Sequence, residues 1–348
     1  MIYCKYSLKK FNTFNININA IKIVKIKDLE KLCNLWKKYK KQNFPCLILG
    51  DGSNILFLKN FYGLVIINRI KGIYISESKK YWNLHVNSGE KWHDLVKFTI
   101  KHKIYGLENL ALIPGRVGSA PIQNIGAYGS SIQNFCEYVD IINPINKKIK
   151  RINKKKCNFK YRDSIFKYNY KNYVIISIGL SLSKKWIPNL KYNDLKKLKY
   201  NITPQKIFNY ICNIRKKKIP YPKIYGNAGS FFKNPIISPI LGTKLLKIFS
   251  DMPFSLEKKK FKLSAGWLID KCKFKGYISS NGAMVYSKQS LILLNRFNNS
   301  SGIDILELAI KIYYKVGKKF GVWLEPEVKI IDSHGEVNPY IFFKKNNI

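Results

Sequence analysis

Residues 226 to 235 read GNAGSFFKNP, which sets one serine, Ser230, among small residues with two phenylalanines, a lysine and an asparagine behind it. A nucleophilic serine needs a base, usually histidine, and a strained elbow of the G-x-S-x-G kind. AGSFF is not that elbow, and none of His85, His93, His102 and His334 stands in a setting that suggests a triad. A serine hydrolase is set aside, and Ser230 is left with binding, packing or proton donation.

Three further groups could do chemistry. LGDGSN (49–54) and PGRVGSAPIQNIGAYG (114–129) are glycine loops with Ser119, Gln123, Asn124 and Tyr128 inside the second. Glycine lets backbone N–H groups approach a phosphate closely, and Ser or Asn adds hydrogen bonds. Either loop alone reads better as a tight turn, whereas the two together read as a cradle that could hold one dinucleotide. Arg162, in YRDS, is one of few arginines in a lysine-rich chain. Its planar fork suits a carboxylate, and a structural ion pair with Asp163 or another acid is the competing reading. Glu325 and Glu327 flank Pro326 in LEPEV. Strand alternation puts both on one face, where one could orient an arginine or move a proton while the other is a surface residue.

The elements that must position these groups follow from periodicity. DLEKLCNLWKKYKK (28–41) carries Leu29, Leu32, Leu35 or Trp36, and Tyr39 at helical spacing, and CLILG (46–50) and LVIIN (64–68) are strands around the first glycine loop. With no helix between them, the G-x-G-x-x-G dinucleotide fold is excluded. EKWHDLVKFTIKHKIYG (90–106) reads as a helix ended by Gly106, and VIISIGLSL (174–182) as a strand. Thr203 and Pro204 open a helix through about Lys217. SAGWLIDKCKFKG (264–276) is a helix closed by Gly276, and AMVYS and LILLN are strands. Asp304 and Glu307 make a capping box for a helix ended by Gly321, and VWLEPEVKII is a strand interrupted by Pro326. The mixture is α+β.

Composition bounds the class. A chain of 348 residues, 46% hydrophobic, suffices for two or three domains, and no run approaches the roughly 18 apolar residues of a membrane span. The N-terminal stretch lacks a signal-peptide pattern, and seven scattered cysteines without a C-x-x-C pair suit free thiols in a reducing cytoplasm and no metal site. The formal charge of +43 is spread along the chain as lysine, which reads as solvated faces and not a nucleic-acid surface. The run Arg215-Lys216-Lys217-Lys218 could serve an anionic small molecule.

Six blocks in one order, LILGDGSNILF, LENLALIPGRVGSAPIQNIGAYG, YRDSIFK, GNAGSFFKNP, LSAGWLIDKCKFKG and GVWLEPEVKI, closely resemble the UDP-N-acetylenolpyruvoylglucosamine reductases, across nearly the whole chain. The resemblance implies an FAD-binding fold of the vanillyl-alcohol-oxidase type in two subdomains plus a C-terminal α+β substrate domain. The expected division is 1–69 completed by 321–348, then 70–219, then 220–320. It further implies noncovalent FAD, NADPH as reductant, and hydride addition to the enolpyruvyl ether of UDP-N-acetylglucosamine in peptidoglycan precursor synthesis, by a cytoplasmic monomer. The rivals are another flavin oxidase or dehydrogenase of the same fold, and a basic nucleic-acid-binding protein.

Residue by residue, Arg162, Ser230 and Glu327 match the family's catalytic positions, with Ser230 as proton donor to the α-carbon. The glycine loops imply FAD contacts at Gly50, Gly52, Ser53, Asn54, Gly115, Gly118, Ser119, Gln123, Asn124 and Gly126. Tyr192, Lys218, Asn234 and Gln289 match substrate-lining positions. Phe254 stands where the family has a loop tyrosine, Tyr286 where it often has histidine, and RFNNSSG replaces its acidic residues. These changes imply a weaker substrate grip with the chemistry kept.

Overall fold

A computed structural model describes residues 4–198 and 201–344. The chain divides into two compact units: one contains the stretch up to Ala20, Gly52–Tyr62 and the stretch from Lys218 onward, the other Ile21–Asp51 and Gly63–Lys217.

In the second unit α1 (Leu29–Lys41) starts at Asp28, whose carboxylate accepts the Lys31 N–H at 2.8 Å, the N-cap bond the sequence invites. Its apolar face buries Leu32, Cys33 and Trp36 with Leu64 and Ile66. Strand Cys46–Leu49 runs parallel to Leu64–Ile67. A five-stranded antiparallel sheet follows the order 149–153, 136–142, 174–183, 81–87, 73–77. α2 (Trp92–Lys101) and α3 (Pro204–Lys218) contribute Trp92, Leu95, Ile207 and Ile211 to one core with Leu84 and Ile178 of that sheet.

α2 ends five residues before the expected Gly106. Lys103 takes the left-handed turn at φ 58°, and the Ile104 N–H reaches back to the Thr99 carbonyl at 2.8 Å. Burial of Ile104 supplies the hydrophobic contact that commonly follows such a cap, so a lysine tolerates what glycine adopts freely.

In the first unit the helices are α4 (Pro239–Ile248), α5 (Ala265–Lys271) and α6 (Gly302–Phe320). α5 also stops short of the predicted glycine, with Lys273 left-handed at φ 61° and Phe274 buried behind it. The capping box of α6 is Ser301 with Asp304, not Asp304 with Glu307. Ser301 Oγ accepts the Asp304 N–H at 3.2 Å and Asp304 accepts the Ser301 N–H at 2.7 Å. Gly321 closes the helix at φ 66°. Sheets of this unit join 236–237, 260–263 and 254–257, then 283–285 with 293–295, and 335–337, 329–332 and 55–57. Among the described residues no helix is long and apolar enough to cross a membrane.

Candidate active site

Ser230 lies on an extended segment held from both sides by backbone. The Phe231 N–H donates to the Leu291 carbonyl at 2.7 Å, and the Phe231 carbonyl accepts the Glu327 N–H at 2.7 Å. Ser230 is thereby bridged to Ile292, and Phe232 to Pro326. The rings of Phe231 and Phe232 are fully buried, each contributing about 2 kcal/mol by burial, so the segment is anchored where the serine leaves it. Upstream, buried Asn227 gives its amide to the Pro220 and Tyr225 carbonyls at 3.1 and 2.7 Å and accepts the Gly229 N–H at 3.0 Å. Gly226 is required by contact, because a Cβ there would stand 2.1 Å from the Phe14 carbonyl oxygen. Gly229 is different: at φ +72° it has nothing within 4 Å of a built Cβ, so open space adjoins Ser230.

The C-terminal glutamates fall on one side as alternation requires, although the regular strand is only Lys329–Asp332. Val322, Leu324, Pro326 and Val328 are buried while Glu325 is exposed and Glu327 half-buried. Glu325 is ion-paired with Lys233. The Glu327 carbonyl accepts the Asn54 side-chain amide at 3.2 Å, and the Lys329 N–H donates to the Asn54 carbonyl at 3.1 Å. Asn54, Ser230 and Glu327, three residues singled out in distant blocks, therefore share one backbone network. Gly52 and Ser53 precede it. Gly52, at φ +60°, is pressed to 2.0 Å between a built Cβ and the Phe11 carbonyl oxygen, so its glycine is demanded by the chain's own packing.

In the second unit Gly50 meets the other glycine loop. A Cβ on Gly50 would lie 3.0 Å from Arg116 Cγ. Arg116, buried, donates through Nε to Asp51 at 2.7 Å and through Nη1 to the Gly89 carbonyl at 2.6 Å. Arg69 also approaches Asp51, at 3.2 Å, and donates to the Gly50 carbonyl at 2.8 Å. Burial, then the neighbouring Arg116 charge, pull the Arg69 pKa below its ordinary value against the opposing pull of Asp51. Two guanidiniums share one carboxylate, and the leftover positive charge is what a diphosphate complements. Gly115, at φ 102°, accepts the Trp92 N–H at 3.0 Å, and the Gly118 N–H donates to the Ser88 carbonyl at 2.9 Å. Ser119 Oγ donates to the Arg116 carbonyl at 2.7 Å, and Gly126 opens the short hairpin 126–127/130–131. Gln123 lies on the same loop, between Ile122 and Asn124.

Asn124 does structural work that its sequence position did not disclose. Its amide donates to Gln133 Oε1 at 3.0 Å and to the Lys160 carbonyl at 2.9 Å, pinning the turn that carries Arg162. Lys160 and Asp163 bridge each other across that turn, Arg162 sits at φ 52°, and Ser164 Oγ donates to the Ile122 carbonyl at 2.7 Å. Asp163 is ion-paired with Lys167 at 3.9 Å. Tyr192 packs edge-on against Tyr128, ring centroids 5.1 Å apart. Arg215, missed as an individual site residue and visible only as the head of a basic run, feels the charges of Tyr128 and Arg162 and donates to the Leu112 carbonyl at 3.2 Å. Lys218 ends α3, half-buried.

Asn234 and Gln289 converge on the first turn of α5. Asn234 Oδ1 accepts the Ala265 N–H at 3.0 Å, and Gln289 Oε1 lies 3.0 Å from a Cβ built on Gly266. Phe254 begins strand Phe254–Glu257, exposed and packed at a tilt against Phe261 with ring centroids 4.8 Å apart. The Tyr286 N–H donates to the Ile292 carbonyl at 2.9 Å, beside the Ser230 bridge.

Residues 20–149 match the model described as FAD binding domain, which with the glycine loops and their surplus guanidinium charge defines a flavoprotein fold. Residues 220–331 match the model described as UDP-N-acetylenolpyruvoylglucosamine reductase, C-terminal domain. The chain is 54% identical to the UDP-N-acetylenolpyruvoylglucosamine reductase of Buchnera aphidicola subsp. Baizongia pistaciae over 94% of its own length and 98% of that protein. It is 49% identical to the reductase of the same name from Escherichia coli strain K12, over 96% and 98%. The crystal structure of UDP-N-acetylenolpyruvylglucosamine reductase from Thermus caldophilus superposes with a TM-score of 0.64 at 20% identity, covering 95% of this chain and 99% of that one, a likeness of fold. The chain belongs to the UDP-N-acetylenolpyruvoylglucosamine reductase family, FAD-binding oxidoreductases of peptidoglycan precursor synthesis.

Proposed function

We propose that the chain adds hydride and a proton across the vinyl double bond of UDP-N-acetyl-3-O-(1-carboxyvinyl)-glucosamine, giving UDP-N-acetylmuramate, with Arg162, Ser230 and Glu327 as the catalytic residues. FAD, when bound, would supply the hydride chemistry between NADPH and the vinyl double bond. The glycine loops at Gly50, Gly52, Ser53, Asn54 and at Gly115, Gly118, Ser119, Gln123, Asn124, Gly126 hold the cofactor noncovalently. The Arg69, Asp51 and Arg116 charge balance fits its diphosphate.

The chain's own residues govern the proton and the negative charge. Hydride arrival leaves charge over the α-carbon and the carboxylate, and a cation aimed at that carboxylate stabilises it. Arg162 supplies the cation. Glu327, whose N–H is bonded to the carbonyl of Phe231 next to Ser230, orients the polar groups of the site. Ser230 Oγ gives its proton to the α-carbon and Lys218 or water restores it; a neutral hydroxyl suffices because an aci-carboxylate is a strong base. Tyr192, Lys218, Asn234 and Gln289 hold the sugar nucleotide. In this reading residues 1–69 with 321–348 and residues 70–219 serve the cofactor and 220–320 the substrate. The protein works as a cytoplasmic monomer whose lysines are solvated and bind no nucleic acid.

The observation that carries the reading is the backbone clasp of Phe231 between Leu291 and Glu327, which fixes Ser230 and Glu327 on neighbouring segments beside the open space at Gly229. The test is Ser230→Ala in the yellow, FAD-loaded protein. Flavin bleaching by NADPH should persist while product formation falls by about 10²- to 10⁴-fold, the range of one proton transfer. Equal loss of both half-reactions would remove Ser230 from the donor role.

A further inference from the structure

His93 and Arg215 stand on different helices, α2 and α3, and grip opposite ends of one peptide corner. The Leu112 N–H donates to His93 Nδ1 at 3.0 Å, and the Leu112 carbonyl accepts Arg215 Nε at 3.2 Å. Leu112 is left-handed at φ 56°, a conformation that costs a branched residue about 1 kcal/mol and persists only where surroundings enforce it. The imidazole is fixed in turn: its ring stacks on Phe208 of α3, centroids 5.6 Å apart and 5° from parallel. Because Nδ1 accepts, the ring must be neutral with its proton on Nε2. Arg215 makes no ion pair among the described residues, and its neighbours by charge are Tyr128, Arg162 and Cys212. Two guanidiniums within each other's field want a shared anion.

We propose that His93 is a positioning residue: by holding the Leu112 N–H it fixes the carbonyl that orients Arg215 toward Arg162, and the two arginines take one anion, the carboxylate of the substrate. This rests on the reading above that Arg162 grips that carboxylate. Protonation of His93 removes the Nδ1 acceptor, so grip on the carboxylate weakens in acid. The groups facing the imidazole are Asp94 and Lys97 of its own helix and Arg215 and Lys216 of α3; burial and the three cations favour the neutral ring, and Asp94 opposes them.

The experiment compares two ligands of the FAD-loaded protein, the enolpyruvyl sugar nucleotide and UDP-N-acetylglucosamine, which lacks the carboxylate. His93→Leu should weaken the first by about tenfold, the value of one charged hydrogen bond, and leave the second unchanged. His93→Asn, whose Oδ1 replaces Nδ1 as acceptor, should restore affinity. Should His93→Leu not fold, the pH profile decides: wild-type affinity for the enolpyruvyl ligand should fall in acid while that of His93→Asn stays flat. An identical acid limb in both, or equal weakening of both ligands, overturns the role of His93. If the wild type does not prefer the carboxylate-bearing ligand, the carboxylate reading of Arg162 itself fails.

Discussion

Around Ser230 the holding contacts run from backbone to backbone: Phe231 to Leu291 and Glu327, Gly226 to Asn295, Lys233 to Glu325. Around Leu112 they run through side chains, a histidine at the N–H and an arginine at the carbonyl. The first arrangement fixes a segment whatever side chains it carries, provided the backbones can approach, and it leaves the serine free to react. The second depends on a neutral imidazole and therefore on pH. On the proposed reading the proton donor sits in the first and the anion grip in the second.

The comparison breaks most visibly at the glycines of GNAGS. Gly226→Ala drives a Cβ to 2.1 Å from a backbone oxygen that cannot retreat, because the Asn295 amide donates to it at 2.9 Å. About 3 kcal/mol of stability should be lost in urea unfolding. Gly229→Ala meets no atom and bears only its positive φ, about 1 kcal/mol. Its methyl would enter the open space beside Ser230, so activity should fall further than stability does. Equal losses at the two glycines would mean that packing alone requires both.

Asp51→Asn should come next. It leaves Arg116 and Arg69 without their shared carboxylate, and with Asp51 27% exposed the cost is about 2 kcal/mol, below that of a fully buried pair. Thermal unfolding of the FAD-free protein should show that loss, and added FAD should narrow it as the diphosphate replaces the missing charge. A deficit indifferent to FAD would place the diphosphate elsewhere.

Legibility in the sequence followed the range of the interaction. Gly321 was readable because a cap is local chemistry, whereas Glu327 was separated from Glu325 only by the family resemblance, since alternation puts both on the side away from the buried residues. The α6 cap was misplaced by one turn, since Ser301-x-x-Asp304 and Asp304-x-x-Glu307 offer the same spacing. The ends of α2 and α5 were misplaced because buried Ile104 and Phe274 let lysines take the left-handed turn. Arg162 was singled out by its rarity, and the same signal extends to Arg69, Arg116 and Arg215 of the second unit. His93 carried no such mark, since its meaning lies in an N–H 19 residues away.

The smallest expected effect bears on the side-chain half of the comparison. Burial, reinforced by Lys97, Arg215 and Lys216 and opposed by Asp94, lowers the His93 pKa from its ordinary 6.5. The unfolded chain thus takes up a proton near pH 6.5 while the folded one resists until lower pH, so below 6.5 the unfolded state binds more protons. The contribution of His93 to stability is complete above pH 6.5 and is lost as pH falls toward and through the lowered value. Urea midpoints of the wild type and His93→Asn at pH 7.5 and pH 5 isolate it, because every other titrating group is common to both. The wild type should lose more stability than the variant between the two pH values, whereas parallel losses would mean that the imidazole is free to protonate in the fold and that Leu112 has another anchor.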